Sequence, residues 1–91
     1  MAMTTHTSHP EIIKRLKRAE GHLKSIITML EGQRPCLDVA QQLQAVESAI
    51  SSAKKTLVHD HIDHCLEQVV REGTQSADDT IREFKAITKY L

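Results

Sequence analysis

An all-α fold is predicted by three observations. Apolar residues recur in alternating steps of four and three at Ile12, Leu16, Ala19, Leu23, Ile26 and Leu30, the spacing of a helical seam. The same steps return at Val39, Leu43, Val46, Ile50, Ala53 and Leu57, inside a stretch from Cys36 to Glu72 that holds neither Gly nor Pro. No segment alternates polar and apolar residues over strand length. With one Tyr, one Phe and no Trp, the core must be built from aliphatic residues and Ala, which suits closely packed helices.

Each element follows in order. Residues 1–7 are polar and are expected to form a flexible tail, leaving 8–91 as a single all-helical domain. Ser8-His9-Pro10-Glu11 reads as a helix start, with Ser8 as cap, Pro10 in the first turn and Glu11 closing a capping box. Gly32 is the expected stop of the first helix, and Pro35 opens the second. The second helix is expected to run about 35 residues, to Gly73. Ala40, Ala45, Ala49 and Ala53 permit close backbone approach near its middle. Ser76 with Asp79 caps a short third helix, whose expected inner edge is Ile81, Phe84, Thr88 and Leu91.

Charge is balanced overall, 12 basic against 12 acidic residues, but unevenly placed. Residues 1–34 hold six basic and three acidic groups; residues 56–91 hold four basic and seven acidic. The basic end offers a face for a polyanion, although clusters such as Lys14, Arg15, Lys17 and Arg18 also serve as solvated helix faces. No signal peptide precedes the helical pattern and no apolar run approaches membrane length, so a cytosolic protein is expected. In that compartment two cysteines point to thiol or metal chemistry rather than a structural disulfide.

Cys36, His61 and Cys65 carry the chemistry. In the block HDHIDHC (59–65), His61 and Cys65 stand at i and i+4, on one helix face a turn apart. An imidazole and a thiolate so placed can share a soft metal ion, or simply pack. Cys36 lies about 25 residues earlier; on one straight helix that is roughly 37 Å, whereas metal–ligand bonds are about 2.0–2.3 Å. Cys36 therefore cannot join His61 and Cys65 within its own helix. Two such helices packed antiparallel, crossing near residues 49–50, would bring Cys36 of one chain to His61 and Cys65 of the other. Two thiolates and an imidazole suit Cu(I). Zn(II) usually takes a fourth ligand, which His59, His64, His6 or His9 can supply. Pro35 places Cys36 at a helix N-terminus, where the dipole favours thiolate.

One Cys opening the second helix, then His-x3-Cys toward its far end, resembles the CsoR/RcnR/FrmR type of metal-sensing repressor, most closely its copper-sensing branch. The stretches RLKRAEGHLKSIITMLE (15–31), CLDVAQQLQAVESAI (36–50) and HDHIDHC (59–65) are similar to that family, and the likeness spans roughly residues 10–91. It implies a three-helix protomer, an antiparallel four-helix-bundle dimer and a tetramer made of two dimers. It also implies a repressor whose ligand-free form binds operator DNA and is released by its inducer. Cys36, His61 and Cys65 match the three copper ligands. Glu83 falls near the carboxylate that hydrogen-bonds the histidine's other ring nitrogen, with a two-residue insertion in the loop before it. The branch's tyrosine beside the first cysteine is Pro35 here. Arg15 matches a DNA-contacting position; a second such position is Ser52 here, with Lys54 and Lys55 as substitutes.

The resemblance leaves the inducer open. Nickel and cobalt sensors add an N-terminal histidine; Thr4 stands at that position, and His6 lies two residues away, so a Ni(II) or Co(II) site from His6, Cys36, His61 and Cys65 is an alternative. A formaldehyde-responsive repressor acting through Cys36 is another, set against by Cys65 and by the Met-Ala-Met start. Persulfide sensors carry a cysteine where His61 stands. The expected function is a homotetrameric metal-responsive repressor, contacting DNA phosphates through Lys14, Arg15, Arg18, Lys54 and Lys55. A metal buffer or chaperone without DNA binding is the rival of another class. No orienting third group or oxyanion hole supports an enzyme built on Cys36 and His61.

Overall fold

The computed structural model describes residues 8–72 and 77–91. These form three helices, α1 (His9–Glu31), α2 (Cys36–Glu72) and α3 (Ala77–Ile87), followed by a 3-10 turn, Thr88–Tyr90. No strand occurs among the described residues. The expected long second helix is present as one unbroken element of 37 residues. Gly73 and Ser76, assigned as its stop and as the cap of α3, lie outside the described residues.

The chain divides into two compact units, one spanning Pro10–Ala53 and the other containing Lys54–Leu91. In the first, α1 and the opening half of α2 form a helical hairpin. Ile12, Ala19 and Ile26 are its buried residues on α1 and Val39, Val46 and Ala53 on α2, each set spaced by seven. Ile26, Val39 and Val46 make one cluster, with Met29 against it. Only alternate members of each predicted seam are thus covered. Leu16, Leu23, Leu30, Leu43, Ile50 and Leu57, the other members, remain exposed in the protomer. In the second unit Val58, Cys65 and Thr80 are buried.

The helix ends depart from expectation in three places. The Ser8 hydroxyl is buried with no hydrogen-bond partner among the described residues, so the Ser8–Glu11 capping box does not form. A box needs the hydroxyl aimed at the amide three residues on, and sequence spacing alone does not set that rotamer. α1 ends in a Schellman arrangement in which Arg34 N–H donates to Met29 O (3.0 Å) and Gln33 N–H to Leu30 O (3.1 Å). The left-handed residue of that motif is Gln33, at φ 57°, not the expected Gly32. Gly32 closes the last turn by donating to Thr28 O at 2.9 Å. Finally, of the expected inner edge of α3, Phe84 and Thr88 are half-buried while Ile81 and Leu91 are exposed, and Thr80 and Ile87 turn inward as well. The chain switches to 3-10 geometry over Thr88–Tyr90, and Leu91 after it is exposed.

Candidate metal centre

His61 and Cys65 stand one turn apart on α2, and α3 brings Glu83 to them. The imidazole, thiol and carboxylate ligand atoms all lie within 4.8 Å of one another, and this is the one such group of ligand-type side chains among the described residues. His61 Nε2 is 2.8 Å from Glu83 Oε1. In the neutral ring Nε2–H donates to the carboxylate, which leaves the lone pair on Nδ1. Glu83 thus favours that tautomer and ring orientation, the usual task of a carboxylate behind a metal-binding histidine.

Cys65 is 2% exposed. Burial, and after it the Glu83 carboxylate, push its thiol above the ordinary cysteine range. Both causes disfavour a thiolate standing alone, and both would favour one neutralised by a cation. A soft cation suits this donor set: a buried thiol and a half-buried imidazole, with an exposed carboxylate behind the ring.

The other predicted ligands are not gathered here. Cys36 is exposed, the first residue of α2, about 25 residues before His61 on the same unbroken helix. The Pro35 carbonyl accepts the first helical bond from Val39 N–H (3.2 Å), which makes Cys36 the opening residue as expected. His59 is exposed, and His64 and His9 are half-buried with partners of their own. Neither His59, His64 nor His9 belongs to the His61 group. His6 lies outside the described residues.

A second feature lies on the hairpin. Arg15 and Arg18 line a groove of about 230 Å³ with Ala19 and His22 of α1 and Ala49 and Ser52 of α2. Arg15 also sits 3.7 Å from Glu11, an exposed pair of small energetic weight. Lys14, Lys54 and Lys55 are exposed and do not line the groove. His22 was missed by the sequence reading. Its Nε2 lies 2.6 Å from Gln42 Oε1, a half-buried hydrogen bond joining α1 to α2. The spacing of Arg15, Arg18 and His22, steps of three and four on one face, was the available signal.

Compared with known proteins, residues 8–90 match the profile of a family described as metal-sensitive transcriptional repressors. The chain belongs to that family. It is therefore a repressor rather than an enzyme. The repressor is 40% identical over 73 residues to the copper-sensing transcriptional repressor RicR of Mycobacterium tuberculosis, covering 80% of this chain and 76% of that one. Its fold matches the nickel-responsive transcriptional regulator InrS with a TM-score of 0.82 at 27% identity, over 99% of this chain and 100% of that one. It also matches the copper-sensing repressor CsoR with Cu(I) from Geobacillus thermodenitrificans, with a TM-score of 0.80 at 32% identity, over 98% and 91% of the two chains. No described helix of the repressor is long and apolar enough to cross a membrane.

Proposed function

We propose that this repressor responds to Cu(I), held between two protomers by Cys36 of one and His61 and Cys65 of the other. The observation that carries the reading is the unbroken α2: His61 and Cys65 are gathered with Glu83, while Cys36 stands exposed at the far end of the same helix. An antiparallel partner supplies the missing thiol. Cys36, Cys65 and His61 would hold Cu(I) as two thiolates and one imidazole, and the bound ion would supply a link between the two chains. Glu83 orients the His61 ring for this, and Cys65 gives up its proton on ligation. We read residues 8–91 as one domain, assembling as an antiparallel dimer and then a tetramer of two dimers in the cytoplasm.

The ligand-free assembly holds operator DNA through Arg15 and Arg18 of the hairpin groove, with Lys14 beside Arg15 in sequence and Lys54 and Lys55 just after Ser52, and lets go once the site is filled. Phosphate contacts of this kind make affinity fall steeply with salt. A coupling of about 1–3 kcal/mol between metal and DNA is typical of allosteric proteins. The decisive measurement is anaerobic titration of the reduced protein with Cu(I) and with Ni(II), following release of an operator fragment. Release by Cu(I), lost in Cys36→Ala, is expected. Release by Ni(II) alone and only with His6 intact would favour the second reading, a Ni(II) or Co(II) sensor, which the likeness to a nickel-responsive regulator supports. Cu(I) binding with no operator retardation at any metal level would leave a metal buffer.

A further inference from the structure

Between the end of α2 and α3 lies an open groove of about 460 Å³ lined by the apolar side chains of Leu66, Val69, Val70, Ile81 and Phe84 together with Cys65, Thr80 and Lys85. Val70, Leu66 and Ile81 are themselves exposed in the protomer. The lining of the groove is almost wholly apolar. Cys65 also belongs to the metal group, so groove and metal centre adjoin. At the other end of α2, Leu37 is 68% exposed. It is the one large aliphatic side chain between Leu30 and Val39, and it directly follows Cys36.

We infer that Leu37 of one protomer enters the groove beside Cys65 of its partner and holds Cys36 within reach of the metal centre. The inference rests on the proposed intersubunit site and adds the contact that positions its third ligand. Successive helix residues turn by about 100°. Cys36 to Leu37 and Cys65 to Leu66 are the same turn. In a two-fold antiparallel pair with Cys36 facing Cys65, equal turns from the facing line emerge on the same side of the pair. Leu37 therefore comes out alongside Leu66, where Ile81 and Phe84 of α3 complete the apolar wall. Cys36 itself offers little apolar area; the leucine beside it supplies the apolar area that an interface anchor needs. Leu37 is thus a positioning residue, acting through Cys36.

The test uses the full chain, which has no Trp, with Phe84→Trp as a fluorescent reporter in the reduced, metal-free protein. Sedimentation sets a concentration at which all variants share one mass. Leu37→Asn is expected to shift the indole emission to the red and to raise acrylamide quenching by roughly twofold as the wall becomes wet. Leu37→Met should preserve both, and Cys36→Ala should leave both unchanged. A double-mutant cycle pairing Leu37→Ala with Ile81→Ala then reads Cu(I) affinity. Leu37→Ala alone should weaken it about tenfold, and the two substitutions should be coupled by at least about threefold. Emission indifferent to Leu37→Asn, together with additive losses, would overturn the inference. Failure of the metal reading shows separately, as Cu(I) affinity untouched by Cys36→Ala, while the emission still decides whether Leu37 fills the groove.

Discussion

At the scale of single residues, the centre is a group of three side chains, His61, Cys65 and Glu83. Glu83 accepts the Nε2–H of His61 at 2.8 Å, and it is the second cause, after burial, that holds the Cys65 thiol up. Glu83→Ala removes the carboxylate that accepts from the ring Nε2–H. We expect it to weaken metal binding by about 10–100-fold, the usual cost of removing such a carboxylate, measured by competition with a Cu(I) chelator. An unchanged affinity would show that His61 is oriented by something else. His61 and Cys65 could be paired from sequence because helical periodicity is local: four residues are one turn whatever the fold does elsewhere. Glu83 could not, since its meeting with His61 depends on how α3 returns to α2 across a loop; only the family resemblance pointed to it. His22 and Gln42 illustrate the same limit, two unremarked polar residues 20 apart whose hydrogen bond exists only once the hairpin has closed.

At the scale of the element, the hairpin turn holds the one non-glycine residue of positive φ among the described residues. Gln33 sits at φ 57°, a region that costs a residue with a Cβ about 1–2 kcal/mol and glycine almost nothing. Glycine loses part of that gain through its freer unfolded chain. Gln33→Gly is therefore expected to stabilise the protein by roughly 0.5–1 kcal/mol in urea unfolding. Gly32→Ala has no such benefit, because a Cβ there meets Thr28 O at 3.3 Å. Across the hairpin, Gln42→Leu removes the acceptor of a half-buried bond and should cost about 1–3 kcal/mol. Helix existence and length were plain in the sequence, α2 above all, because thirty-seven residues without a breaker leave little alternative. Their boundaries were legible too, with α1 running from His9 after Ser8 to Glu31 before Gly32 and α2 opening at Cys36 after Pro35, but the capping bonds were not. Gly32 is the residue that composition favours for a left-handed cap, but the Schellman bonds place that position one residue later, on Gln33.

At the scale of the whole molecule, the two halves of each predicted seam have different fates. Ile26 is 2% exposed and packs on Val39 and Val46, so Ile26→Ala should cost about 2–5 kcal/mol in any state of assembly. Leu43 and Ile50 continue the α2 seam yet lie 47% and 43% exposed, along a groove shared with Ala40 and Gln44. Periodicity in sequence marks both sets alike, since it records that a position faces apolar surroundings and not whose they are. A solvated row of this kind is a standing liability unless another chain covers it. In the proposed antiparallel dimer residue 50 lies near the crossing point, where it meets its own copy. Ile50→Glu would then place two like charges together in a dry contact, a loss no side-chain rotation can relieve. The protomer's own buried row, Val39, Val46 and Ala53, is untouched by that change. We therefore expect Ile50→Glu to keep its helical circular dichroism while sedimenting as a monomer. Because the monomer offers His61 and Cys65 without a second thiol, the same variant should bind Cu(I) far more weakly and fail to hold operator DNA. A dimer that survives Ile50→Glu would mean that the two α2 helices do not cross at their middle, and Cys36 would have to reach its partners by another route.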